Sequence, residues 1–302
     1  MQSHNQTMHH CLRIGLLAKV DIIMPLKPGR PQGSPLQRVL FLCLIMLPLC
    51  ACDLAPTVTV NGTPAPTINR GATTLNVWSK AAPGIELRYE DWKSPDGNED
   101  TVTIVRFDLR HVRLTVAYQP SKPLLLSQWM QKEQATAVSN GGYFDQQHDA
   151  TGLVISNGQV FGVSYHGFGG MLAVDDQGQV QLRYLSQQPY NANEGLQQAT
   201  QSTPMLILPG GKRAHFNADV ASSRRSVVAM DKQGRLLFIT SPSNAFSLDE
   251  LADLLVTSDL SIDVALNLDG GASTGLYMHA GNQHVSIDSL AQLPIVIIVK
   301  KR

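Results

Sequence analysis

Three short stretches of this chain repeat one turn chemistry, and that repetition limits the fold more than any other feature. They are Ser156-Asn157-Gly158-Gln159-Val160, Asp175-Asp176-Gln177-Gly178-Gln179-Val180 and Asp231-Lys232-Gln233-Gly234-Arg235-Leu236. In each, apolar segments flank an Asn-Gly or Asp-x-x-Gly turn, the sequence signal of an antiparallel hairpin. Residues 85–89, 101–108 and 112–118 alternate apolar with polar, as half-buried strands do. Residues 124–134 (LLLSQWMQKEQ) read as a helix, and residues 135–139 as a short strand delivering Asn140-Gly141-Gly142 to a loop. A second helix is expected over 247–257 (SLDELADLLVT). There Ser247 is the cap, Glu250 completes a capping box, and Leu248, Leu251, Leu254 and Leu255 form the apolar stripe. A strand at 262–268 runs into Asp269-Gly270-Gly271, and the wholly apolar run 293–299 suits a central strand. The expected fold class is α+β: a twisted, largely antiparallel mixed β-sheet covered by a few helices, in a single domain over residues 75–302.

The first 74 residues read differently. Arg30 and Arg38 precede the apolar run 39–49 (VLFLCLIMLPL), which ends in Cys50-Ala51-Cys52. A basic flank, a short apolar run and small residues are the parts of a secretory signal, and the run is too short to span a bilayer. The signal segment is residues 1–51, with Met24 as an alternative start. Leu49-Cys50-Ala51-Cys52 resembles a bacterial lipobox, which makes Cys52 the expected lipidation site with Cys50 as its competitor. Residues 52–74, rich in Pro and Thr, read as a flexible lipid-anchored tether. The expected location is therefore a membrane-anchored lipoprotein facing the periplasm or the cell exterior. All four Cys (Cys11, Cys43, Cys50 and Cys52) precede the domain, which excludes an internal disulfide and a Cys nucleophile there. Removing residues 1–51 takes five basic residues and one acid from 24 of each, leaving 19 against 23. A net charge of −4 without a basic stripe argues against a nucleic-acid partner.

Two segments have the make-up of a chemical site. In residues 266–273 (LNLDGGAS), Asp269 stands at a strand end, Gly270 and Gly271 let backbone N–H groups approach an anion, and Ser273 adds a hydroxyl. Residues 139–145 (SNGGYFD) repeat the design: Asn140, two glycines, Tyr143 and Phe144, then Asp145. Aromatic faces beside polar donors suit a sugar. Arg225, next to Ser226 at the head of an apolar strand, is the residue type that grips phosphate through paired hydrogen bonds. No histidine has zinc-site spacing; His166 and His215 lie nearest to Gly-rich segments.

Residues 140–145, 152–158, 203–207, 225–230 and 267–273, in that order, resemble the phosphodiester glycosidase family over roughly residues 87–299. Arg224, Ser226 and Ala272 depart from its usual Pro, Thr and third Gly. The resemblance implies an exported hydrolase acting on a glycosyl phosphodiester, with a carbohydrate phosphodiester as substrate and no cofactor. It implies phosphate binding by Arg225 and the amides of Gly270 and Gly271. Asp269 would be nucleophile or general base, and Asn140 would orient the substrate. Gly141, Gly142, Asp145, Ser226 and Ser273 complete the expected binding set. Two other readings stay open: Asp269 and Asp145 holding Mg²⁺ or Ca²⁺ through oxygen ligands, or a non-catalytic glycan-binding or envelope-assembly lipoprotein.

Overall fold

The computed structural model describes residues 74–217 and 221–302. The signal segment, Cys52 and all but the last residue of the tether lie outside the described residues. Among those described, no helix is long and apolar enough to cross a membrane.

The strands form three sheets. An eight-stranded sheet runs in the order Ser79–Ala82, Ile85–Lys93, Glu99–Phe107, Leu236–Phe246, Ser223–Asp231, Ile262–Asn267, Met205–Leu208 and Lys212–Arg213. A five-stranded sheet runs Gln283–Ile287, Leu276–Ala280, Ala137–Asn140, Ile295–Lys301 and Val112–Tyr118. A second five-stranded sheet runs Gln159–Phe161, Val154–Ser156, Leu196–Ser202, Gly170–Asp175 and Val180–Tyr184. Every pairing among the described strands is antiparallel. The expectation of a single mixed sheet with a few helices is thus corrected: the described residues are more β-rich than an α+β fold, with two α-helices among them, α1 (Leu126–Glu133) and α2 (Leu248–Thr257). A strongly twisted sheet of this many strands cannot stay open, so it divides and packs face to face.

One core joins the three sheets. Phe107, Val228, Phe238 and Leu266 of the large sheet meet Leu114, Met278, Ile297 and Val299 of one small sheet and Leu172 and Val174 of the other. Because side chains alternate along a strand, the intervening residues bury elsewhere. Val227, Ala229 and Ile239 pack under Leu251 and Leu255 of α2. Val296 and Ile298 pack under Leu126 and Trp129 of α1. That double covering is why the C-terminal run is apolar at every position.

The local chemistry behaves as its residue types dictate. Asn157 and Gly158 both take positive φ, at 51° and 78°, closing the tight hairpin between Val154–Ser156 and Gln159–Phe161. The Asp231 carboxylate accepts from the N–H groups of Gln233 at 3.0 Å and Arg235 at 2.9 Å, with Gly234 at φ 75°. At α2, Ser247 Oγ accepts from Glu250 N at 3.2 Å while Glu250 Oε2 accepts from Ser247 N at 2.9 Å. Ser247→Ala is expected to cost about 1 kcal/mol, read as a lower urea midpoint at unchanged slope.

Candidate active site

Two strand ends from different sheets create the site. Ile262–Asn267 of the large sheet and Ala137–Asn140 of a small one are joined where Asp269 N donates to Gly141 O at 3.1 Å. Asn140 is buried beside this junction. Its Nδ2 donates to the Asp269 carbonyl at 2.7 Å, and its Oδ1 accepts from Gly275 N at 3.3 Å. Its amide is therefore occupied with main chain on both sides of the 269–273 loop, where it braces Asp269. The third sheet enters through Thr200, whose Oγ1 accepts from Gly142 N at 3.2 Å.

The Asp269 side chain is mostly buried, which pushes its pKa up to about 6. Hydrogen bonds from Ser273 and from the Gly270 backbone offset part of that rise. Gly271–Ser273 form one turn of 3₁₀ helix, with Gly271 at φ 58°, a conformation that favours glycine. Arg225 is 7% exposed; its Nε donates to Phe246 O at 3.0 Å and its Nη2 to Ala221 O at 2.7 Å. A Cβ on Gly270 would stand 3.9 Å from Arg225 Nη1, so the guanidinium lies alongside the diglycine.

Sequence reasoning assigned no role to Asn267 and offered Tyr143 only as an aromatic face for a sugar, yet both stand beside Asp269. Asn267 Nδ2 donates to Tyr143 Oη at 2.8 Å and to Thr203 O at 3.0 Å, and the Tyr143 hydroxyl donates to Thr203 O at 3.0 Å. Burial, reinforced by the Asp269 charge, pushes the Tyr143 hydroxyl up to about 12. The Asn267 signal was available: it precedes Asp269 by two, the spacing that puts two strand residues on one face.

Asp269, Asn140, Arg225, Gly141, Gly142, Gly270, Gly271 and Ser273 come together here. Asp145 and Ser226 do not join them. Asp145 is exposed, and its Oδ1 accepts from Gln147 N and Asp149 N, each at 2.9 Å. That is the i+2, i+4 pattern of the Asp231 turn, with His148 at φ 67° where the other turns have glycine. Ser226 alternates with Arg225 and Val227, so its side chain points to the opposite face of the strand, where it is 1% exposed. Arg224 is a tie between loops, its Nε donating to Pro242 O at 2.9 Å and its Nη2 to Asp288 O at 3.0 Å. Among the described residues, no three His, Cys, Asp or Glu side chains form a metal-binding cluster.

A cleft of about 180 Å³ opens next to Thr203, lined by Phe168, Tyr184, Pro204, His215 and Phe216 among others. A larger one of about 680 Å³ is lined by Arg183, Lys232 and Asp263, at the other end of Ile262–Asn267 from Asp269, and includes none of the candidate residues.

Residues 133–300, more than half of the chain, match a family model described as phosphodiester glycosidase. Among solved structures, the chain is similar to the zebrafish N-acetylglucosamine-1-phosphodiester alpha-N-acetylglucosaminidase catalytic domain, auto-inhibited by pro-peptide. The TM-score is 0.57 at 19% identity, over 74% of this chain and 86% of that one. It is also similar to a hypothetical protein from Synechocystis, with a TM-score of 0.54 at 16% identity, covering 73% of this chain and 62% of that one. At these identities the likeness is one of fold. No curated protein matches the chain.

Proposed function

Because the chain belongs to the phosphodiester glycosidase family, we propose that its site hydrolyses a glycosyl phosphodiester, a sugar joined through its anomeric carbon to a phosphate ester. One observation carries the reading: a largely buried carboxylate, Asp269, shares a loop with a diglycine that lies against the Arg225 guanidinium. The parts match what the reaction needs. A phosphodiester carries one negative charge and gains a second as the C–O bond breaks, so stabilising that charge matters more than protonating the leaving oxygen. Arg225 and the N–H group of Gly271 take the phosphate oxygens, the Gly270 N–H being given to the Asp269 carboxylate.

Asp269 acts on the other side of the bond, as nucleophile at the anomeric carbon or as base toward water. The bonding pair leaves with the phosphate, and water supplies the hydroxyl that ends on the sugar. Asn140 and Ser273 hold the loop and the carboxylate in place. Tyr143 and Asn267 form the polar wall beside it.

Asp269 must be ionised for either role. Its pKa of about 6 predicts that kcat/KM rises with pH, reaches half its plateau near pH 6 and stays level above pH 7. A pH–rate profile on the best substrate checks this, and a rate that falls as pH rises through 6 would make Asp269 an acid instead. The reaction calls on no metal in this reading, so EDTA, Mg²⁺ and Ca²⁺ are expected to leave the rate unchanged. Loss of activity in EDTA would favour a metal-assisted route.

The setting follows from the N-terminus: export directed by residues 1–51, a lipid on Cys52, and a domain that meets envelope or extracellular glycans. The test of function is release of free sugar from a panel of sugar-1-phosphodiesters, including N-acetylglucosamine esters, by the purified protein. No release from any diester would overturn the hydrolase reading in favour of glycan binding.

A further inference from the structure

The cleft beside Thr203 carries aromatic rings that the bond-breaking chemistry does not use. Phe168 is 51% exposed. It is nevertheless held. Its ring stacks on Tyr165 with centroids 4.9 Å apart and planes at 24°, and Tyr165 N donates to Gln201 Oε1 at 2.8 Å. Phe216 also lines the cleft, with the Arg213 guanidinium 5.8 Å from the centre of its ring, and Arg213 is itself bonded to Asp249 of α2 at 2.9 Å. His215 stands exposed at the rim. Fixed aromatic faces with a polar rim, in a space of about 180 Å³, suit one ring that is apolar on its faces and hydroxylated at its edge.

Sheet order gives the cleft its place in the reaction. Ile262–Asn267, which leads into Asp269, is flanked on one side by Ser223–Asp231, the strand of Arg225. On the other side is Met205–Leu208, which follows Thr203 and Pro204. The phosphate ligands and the cleft thus lie on opposite sides of Asp269. With the phosphate on Arg225 and the anomeric carbon at Asp269, the sugar extends toward Thr203.

We infer that this cleft is the subsite for the released sugar: a single pyranose packed against Phe168 and Phe216, with His215 hydrogen-bonding a ring hydroxyl. The assignment of the released sugar, rather than any other ring, rests on the hydrolase reading.

The test is binding of free N-acetylglucosamine and free glucose to the whole protein, by titration and by saturation transfer from aromatic protons. Phe168→Ala, Phe216→Ala and Lys232→Ala, the last in the larger cleft, are compared with the wild type. At least one sugar is expected to bind, about tenfold more weakly in each Phe variant and unchanged in Lys232→Ala. Phe168 is exposed enough for its variant to fold, which thermal melting verifies. No binding of either sugar to the wild type, or equal binding in all four proteins, would overturn the assignment. Sugar binding that needs Phe168, without hydrolysis of any diester, would leave the subsite standing and remove the hydrolase reading. Hydrolysis with unchanged KM in both Phe variants would do the reverse.

Discussion

Asp269→Asn is expected to lower kcat/KM by about a thousandfold or more while making the protein more stable at neutral pH. The first effect follows from losing the carboxylate proposed as nucleophile or base. The second follows from burial. The Asp269 pKa rises from its ordinary value of 3.8 to about 6 on folding, so between those values the folded protein holds a proton that the unfolded chain has lost. The stabilising contribution is whole below 3.8 and is lost as pH rises through about 6. A neutral amide removes the cost of a buried charge, and the gain at pH 7 is on the order of 1–3 kcal/mol. Urea unfolding of both proteins at pH 4 and pH 7 is the measurement: the variant's advantage should appear at pH 7 and shrink at pH 4. Retained turnover would remove Asp269 from the chemistry. A variant less stable at pH 7 would mean that the carboxylate's bonds to Ser273 and Gly270 outweigh its desolvation.

The second large effect belongs to Gly142. A Cβ there would stand 2.0 Å from the Gln201 carbonyl oxygen and 3.2 Å from Thr200 Oγ1. Neither can retreat, because Leu196–Ser202 is laddered on both sides, to Val154–Ser156 and to Gly170–Asp175. Gly142→Ala is therefore expected to destabilise by about 3 kcal/mol or more and to displace Tyr143 from the site, with loss of activity. Gly195→Ala is the control. An added Cβ there meets nothing nearer than Asp176 at 3.8 Å, and its effect should stay within about 0.5 kcal/mol. A Gly142→Ala protein as stable as that control would show that the third sheet yields at the junction.

Much of this was legible along the chain. Asn157-Gly158 and the Asp175 and Asp231 turns, the Ser247–Glu250 box and the strand ends that carry Asn140 and Asp269 are all short-range facts. Each depends on groups within about four residues of one another, so local sequence is enough. Of the segments that carried the family resemblance, those around Asn140, Thr203, Arg225 and Asp269 meet at one junction. Asp145 shows where such reading ends. Its turn matches the Asp231 turn bond for bond, but His148 takes the left-handed position, so the glycine that marks the other turns is missing. A carboxylate after two glycines then looks chemical when it is structural.

Tertiary structure alone decided three further things. Period-two alternation says which residues share a face, but not which sheet a strand joins, so three antiparallel sheets stood where a single mixed sheet was expected. Asn140 has its bonding partners at Asp269 and Gly275, 129 and 135 residues away, and nothing local indicates that its amide holds main chain. The cleft draws Phe168, Thr203 and Phe216 from separate segments. Hydrogen-bond and packing partners that distant are chosen by the way the sheets stack, and sheet stacking is a property of the whole core.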